Sequence, residues 1–244
     1  MKNKQQIDKT PARLDFIQSV SGLVLALFIM GHLVFEASIL VSNELMYKVT
    51  IMFEGYYLFG QKYPIIISVL ASIIFAVFII HAAIAMRKFP ANYKQYKTMK
   101  KHIVTLGHED TSLWMVQAFS GFIMFFIGSV HLYGMIAQPQ NIGPYISSDR
   151  VVHELMGPLY VLLLLSVVTH AFIGLYRLAL KWGFMEGKNY RVSRKRFKVM
   201  MKTFIAVYLI LGFLSLAKYV YIGTTHNFSD CVKYESKTIH LEKH

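Results

Sequence analysis

Cysteine is almost absent from this chain, since Cys231 is the single one among 244 residues. One cysteine excludes an internal disulfide framework and an iron–sulfur cluster held by cysteines of this chain alone. The C-x-x-C-H motif that attaches c-type haem covalently is missing too. Glycine-rich phosphate-binding loops and nucleophile elbows are also absent, so no motif points to nucleotide binding or hydrolysis.

Charged residues are also scarce, at 16% of the chain against about 25% in soluble domains. Acidic residues number 13 and basic ones 26, whereas 55% of the residues are hydrophobic and the mean hydropathy is +0.44. The few charges must therefore be concentrated outside long apolar runs, which is typical of membrane spans joined by basic loops. Because no basic stripe lies on a soluble domain, we expect no nucleic-acid partner.

Five segments are long and apolar enough to cross a bilayer, which takes roughly 20 residues. The sequence predicts an all-α membrane protein, a bundle of five transmembrane helices that forms a single membrane-anchor domain over residues 1–244. Pro158 either kinks the fourth helix or marks a short turn before it. The predicted spans are about 16–41, 63–86, 112–137, 151–180 and 203–222.

Lysine and arginine predict the orientation of the bundle. Most of them lie in the N-terminal tail and in the loops 87–102 and 177–202. The positive-inside rule therefore places the N-terminus and these two loops in the cytoplasm, and the C-terminus outside. We expect no cleaved signal, because the first span itself can direct insertion.

Four histidines lie within the predicted spans, one on each of the first four helices: His32, His81, His131 and His170. At about 1.5 Å rise per residue, His32 lies roughly 25 Å and His131 roughly 30 Å above the cytoplasmic ends of their helices. His81 and His170 lie nearly a whole span below the outer ends of their own helices, the second and the fourth. The four therefore form an outer pair, His32 with His131, and an inner pair, His81 with His170.

Such pairs suit two b-type haems, each held between two imidazoles from different helices. Two stacked haems would conduct electrons across the membrane. Structural zinc fits less well, because it needs four ligands at one point. A histidine-based proton relay in a transporter is an alternative, and any single histidine could instead serve helix packing.

Long motifs resemble the cytochrome b membrane subunit of the dihaem succinate:quinone oxidoreductases, especially fumarate reductases of the epsilonproteobacterial type. The resemblance extends from about Leu14 to Gly183. The shared stretches are AxLDFxQSxxGLxLALFxxGH at 12–32, HAAIAMRKFPxNYxQY at 81–96, DTSLWxxQA at 110–118, GSVHLY at 128–133, QPQxIGP at 138–144 and GLYRLALKWG at 174–183.

This resemblance implies a complex in the bacterial inner membrane. A flavoprotein subunit with FAD would interconvert fumarate and succinate, and an iron–sulfur subunit would relay electrons. This chain would anchor both on the cytoplasmic side and exchange electrons with menaquinone or menaquinol. The complex would be a dimer of heterotrimers.

The resemblance also implies roles for individual residues. His81 and His170 would bind the inner haem iron, and His32 and His131 the outer one. Positions near the inner haem propionates are matched by Gln18, Ser19, Trp114 and Lys181, and a position near the outer propionates by Arg150. For each of these five residues, snorkelling or interfacial anchoring is the alternative.

Two further positions concern protons. Glu54 matches the carboxylate that accepts a proton from quinol, although it could be an ordinary loop glutamate. Val168 stands where the related fumarate reductases carry a glutamate thought to move protons across the membrane. Valine cannot carry protons, so we expect electron transfer across this subunit to be electrogenic.

A different cytochrome b subunit, from a hydrogenase or a formate dehydrogenase, is the remaining alternative. It would also be dihaem and quinone-linked, but its partner would dock from the outside. The basic cytoplasmic surface and the shared motifs argue against it.

Overall fold

The computed structural model describes residues 8–106, 109–184 and 189–226. Cys231 and the C-terminal segment predicted to lie outside the membrane are beyond these residues, as are residues 1–7 of the N-terminal tail. The described chain is helical and contains no strand. Its helices are α1 Thr10–Glu36, α2 Ser38–Val41, α3 Asn43–Phe53, α4 Tyr56–Phe59, α5 Ile65–Met86, α6 Tyr93–Leu106, α7 Glu109–Ala137, α8 Pro144–Val152, α9 Gly157–Lys181 and α10 Tyr190–Thr225.

Four long helices form a closed ring. Helix α1 packs on α5, α5 on α7, α7 on α9, and α9 returns to α1. The predicted spans that carry histidine are these four helices. Helix α10 lies outside the ring against α9 and α8. The ring therefore encloses a central space, and α10 supports one of its walls.

Five helices of the described chain are long and apolar enough to cross a membrane: Thr10–Val41, Ile65–Met86, Glu109–Ala137, Gly157–Lys181 and Tyr190–Thr225. Large apolar side chains outside the cavity wall, such as Val69, Ile73 and Phe119, remain more than half exposed. A surface of this kind is stable in lipid, which is as apolar as the side chains. The prediction of an all-α bundle with five spans is confirmed.

The fourth span differs from its predicted bounds. The helical conformation is interrupted between Val152, where α8 ends, and Gly157, where α9 begins, and Leu155 has a φ of 58°. Pro158 then lies in the first turn of α9, where its missing N–H costs nothing and its fixed φ suits a helix. Pro158 therefore starts the helix and does not kink it.

The fifth transmembrane helix, α10, begins at Tyr190, well before the predicted start at 203. Its first turns are basic, so hydropathy does not detect them. Ion pairs hold them against the acidic start of α7: Lys198 Nζ lies 2.9 Å from both Glu109 Oε2 and Asp110 Oδ1, and Arg194 Nη2 lies 2.9 Å from Asp110 Oδ2. The charged part of the helix is thus fixed by its neighbour.

Candidate functional site

The helix ring encloses a cavity of about 1340 Å³. Typical small-molecule sites measure roughly 300–1,000 Å³, so this one has room for more than one ligand. Its wall is mainly apolar. The histidines of all four ring helices line it: His32, His81, His131 and His170.

The inner pair consists of His81 on α5 and His170 on α9, whose ring centroids lie 6.4 Å apart at an interplanar angle of 87°. The Nδ1 atom of His170 is 2.8 Å from the carbonyl oxygen of Gln117, to which it can only donate. The Nδ1 atom of His81 is 3.1 Å from Ser21 Oγ. Ser21 donates its single hydroxyl hydrogen to the Ile17 carbonyl oxygen at 2.7 Å.

The hydrogen bonds assign the tautomers of the inner pair. Both imidazoles act as Nδ1–H donors, which leaves the lone pair of each Nε2 available. Metal-binding histidines usually have this arrangement, in which the second nitrogen is held by a neighbouring acceptor. The inner pair is therefore prepared to bind a metal through Nε2.

Two glycines make room for the inner pair. A Cβ at Gly121 would lie 2.7 Å from His170 Cε1, and a Cβ at Gly22 would lie 2.9 Å from His81 Cε1. Any larger residue would displace the imidazoles. Each ring thus rests against bare backbone of a neighbouring helix.

The outer pair consists of His32 on α1 and His131 on α7, with ring centroids 6.3 Å apart and an interplanar angle of 52°. Phe28 stacks on His32 at 5.6 Å, and Tyr160 contacts His131 edge-on at 5.7 Å. The Nδ1 atom of His131 is buried and has no hydrogen-bond partner within the described chain. Aromatic rings therefore hold the outer pair, in contrast to the hydrogen bonds of the inner one.

Polar residues gather at the end of the cavity that is predicted to be cytoplasmic, where the wall includes Gln18, Ser19, Trp114 and Lys181. Lys181 Nζ donates to Ser19 Oγ at 2.6 Å and forms an ion pair with Asp15. The buried Oε1 atom of Gln18 has no hydrogen-bond partner in the described residues. The structure thus brings the four residues predicted for the inner propionates to one end of the site.

Arg150 lines the same cavity near the outer histidine pair and is 9% exposed. Its Nη2 atom donates to the carbonyl oxygen of Asn141 at 2.7 Å, and its Nε lies 3.9 Å from a carboxylate oxygen of Glu154. These contacts hold a buried positive charge near the outer pair.

Glu54 follows α3 and is 1% exposed. Gly55, with a φ of 82°, reverses the chain after it, and the Glu54 carbonyl oxygen accepts a hydrogen bond from the Tyr63 amide at 2.9 Å. Thr50 and Phe53 of the same helix line the cavity, whereas Glu54 is not part of its wall. Glu54 is thus a buried residue of the turn after α3 and lies outside the cavity wall.

Val168 is fully buried between α9 and α10, in a cluster with Phe172, Phe197 and Met201. Its neighbour Val167 lines the cavity, whereas Val168 does not. Position 168, where the resemblance implies a glutamate in related proteins, is therefore an apolar packing position in this chain.

Sequence reasoning missed the residues that support the ligands. The supporting residues are Ser21, Gln117 and Gly121, which contact histidines far from them in the chain. Nothing in their local sequence pattern indicates that they position a histidine. Lys88 and Arg177 also line the cavity, and Arg177 donates to Gln117 Oε1 at 2.6 Å.

The donor set fits a haem at each pair. Imidazole nitrogens bind first-row metals at about 2 Å, which puts two ring centres on the order of 6 Å apart across one metal. The observed separations of 6.3 and 6.4 Å agree. An apolar wall with cationic groups at both ends suits a flat macrocycle that carries anionic propionates.

Comparison with known proteins gives the family. Residues 92–212 match the succinate dehydrogenase/fumarate reductase transmembrane subunit family. The fumarate reductase cytochrome b subunit of Wolinella succinogenes is 49% identical over 218 residues, which cover 88% of this chain and 84% of that protein. The Helicobacter pylori strain 26695 protein of the same name is 45% identical over 212 residues, which cover 87% and 82%. The chain therefore belongs to the family of succinate dehydrogenase and fumarate reductase transmembrane subunits.

Proposed function

We propose that this chain is the dihaem cytochrome b subunit that anchors a fumarate reductase or succinate dehydrogenase complex in the bacterial inner membrane. It passes electrons between menaquinone or menaquinol and an iron–sulfur subunit. The observation that carries the proposal is that two pairs of histidines face each other in one cavity, at ring distances that suit one metal each. Family membership favours this assignment over the hydrogenase, formate dehydrogenase and transporter alternatives.

Haem, when bound, supplies one-electron transfer through its iron. His81 and His170 would hold the inner haem through Nε2, and Ser21 and the Gln117 carbonyl fix the orientation of those rings. His32 and His131 would hold the outer haem.

The ends of the cavity bind the haem propionates. Lys181, Ser19, Gln18 and Trp114 form the inner site, where a propionate would share or replace the contacts between Lys181 and Asp15. Arg150 forms the outer site, where its buried guanidinium favours an anion.

The partners bind the basic cytoplasmic side. Helix α6 and the first turns of α10 are rich in lysine and arginine and mostly exposed. An iron–sulfur subunit docked there would lie next to the inner haem, and a flavoprotein subunit with FAD would convert the dicarboxylate. The complex is proposed to be a dimer of such heterotrimers.

Haem content tests this function. The purified complex is expected to contain two low-spin b haems for each copy of this chain, because two histidine pairs are present. A pyridine haemochrome assay against protein concentration measures the ratio. A protein purified without haem would refute the function, and one haem per chain would refute the dihaem assignment.

A glycine variant tests the inner site. Gly121→Ala is expected to displace the His170 ring and lower the content of inner haem, because the new Cβ would lie 2.7 Å from that ring. The change favours the helix itself by about 1 kcal/mol, so helix propensity cannot explain a loss. Gly134→Ala on the same helix is the control, because its added Cβ would meet no atom within 4 Å other than its chain neighbours and the adjacent backbone of its own helix. Equal haem content in both variants would contradict the proposed role.

Because valine stands at position 168, where a proton-carrying glutamate is implied by the resemblance, we expect turnover to be electrogenic. The cavity-facing residue at this level of α9 is Val167, and neither valine can carry a proton. Menaquinol-linked fumarate reduction in sealed proteoliposomes should therefore make the cytoplasmic side negative. Each charge moved against 100 mV costs about 2.3 kcal/mol. A potential-sensitive dye reports this effect, with turnover after addition of an ionophore as the control. Turnover in tight vesicles without a potential would contradict the prediction.

A further inference from the structure

Glu36 places a carboxylate inside the membrane bundle, next to the outer histidine pair. It is the last residue of α1 and follows His32 by four positions, so both side chains lie on one face of the helix. Glu36 lines the central cavity together with both outer histidines. Ionisable residues within a membrane bundle are costly and usually functional.

Helix α10 supplies the partner of this carboxylate. The Tyr219 hydroxyl donates a hydrogen bond to Glu36 Oε2 at 2.9 Å. Tyr219 is 6% exposed and packs in a buried cluster with Ile39, Met46 and Val151, which holds its ring in place. A hydrogen bond donated to a carboxylate stabilises its negative charge.

Other polar groups face the same end of the cavity. Arg150 and Tyr160 line it, and Tyr160 lies within electrostatic reach of both Arg150 and Glu36. The ion pair of Arg150 is formed with Glu154. Glu36 thus belongs to the electrostatic surroundings of the outer pair, and the Val168 position of α9 does not.

We propose that the Glu36–Tyr219 pair holds a negative charge beside the outer haem site and lowers the reduction potential of the haem bound there. A nearby negative charge stabilises the oxidised iron, which carries one more positive charge than the reduced iron. Charges are screened less inside a protein than in water, so the effect is larger than at a surface. The inference rests on the proposed dihaem function and adds a residue that tunes electron flow.

A redox titration of both haems in the purified complex tests this inference. Glu36→Gln is expected to raise the midpoint potential of the outer haem and leave that of the inner haem unchanged. A tenfold loss of preference for the oxidised form corresponds to a rise of about 59 mV. The His170→Leu background, which is expected to retain only the outer haem, assigns the two signals.

Matched variants separate charge from structure. Glu36→Asp keeps the charge and is expected to stay closer to the native potential than Glu36→Gln. Glu44→Gln, at the start of α3, removes a carboxylate that does not line the cavity and should shift neither haem. If Glu36→Gln does not retain the outer haem, Glu36→Leu is titrated, with the same rise expected.

An unchanged outer potential, or an equal shift of both haems, would overturn the inference while leaving the dihaem function intact. A native protein that lacks haem would instead overturn the proposed function itself.

Discussion

Replacing His170 with leucine is expected to leave the complex with one haem per chain, where the native protein has two. The variant removes one of the two histidines that would hold the inner haem, and leucine preserves the apolar character of the cavity wall. The outer pair lies on α1 and α7 and shares no ligand with this site. The haem-to-protein ratio from a pyridine haemochrome assay should therefore fall by half.

The reciprocal variant and a control complete this test. His131→Leu should remove the outer haem and spare the inner one, which the visible spectrum can distinguish. His153→Leu should retain both haems, since this side chain is 56% exposed and pairs with Asp149 at 2.9 Å. Two haems in His170→Leu, or loss of both haems in every variant, would refute the assignment of ligands.

Replacing Glu54 with glutamine is expected to abolish menaquinol-linked turnover and spare fumarate reduction by an artificial dye. Quinol oxidation releases protons with its electrons, and loss of a general base typically costs 10²- to 10⁴-fold in rate. Glutamine keeps the size and polarity of this buried side chain. We therefore expect the quinol-linked rate to fall by about 100-fold or more, with the haem content unchanged.

Glu44→Gln is the matched control for this variant. Glu44 lies at the other end of the same helix and pairs with Lys48 at 3.8 Å. Its loss should leave both activities intact.

Because Glu54 lies outside the cavity wall, quinol must reach it from another direction or after movement of the α3–α4 segment. Native quinol-linked activity in Glu54→Gln would mean that another group takes the proton.

Much of the architecture could be predicted from the sequence alone. Membrane spans are a local property, because each needs only a continuous apolar run of sufficient length. The depth of each histidine followed from the rise per residue, and the structure brings His32 to His131 and His81 to His170. Hydropathy did not predict the basic first turns of α10. These turns begin at Tyr190 and are held by ion pairs with α7.

Tertiary structure decided which side of each helix faces the cavity. In a soluble helix, an apolar stripe marks the buried face. Lipid is as apolar as the interior of the bundle, so the spans here are apolar on all sides and lack such a stripe. Val167 and Val168 are chemically identical neighbours, yet the first lines the cavity and the second packs against α10.

Contacts between distant residues depend on this same rotation of the helices. The composition and spacing of the sequence determined that four histidines sit at two depths in a membrane. Only the packed bundle determined that Gly121 makes room for His170 and that Tyr219 reaches Glu36 from α10. The physical reason is that a local pattern sets the height of a residue along its helix, whereas its partners depend on how neighbouring helices pack.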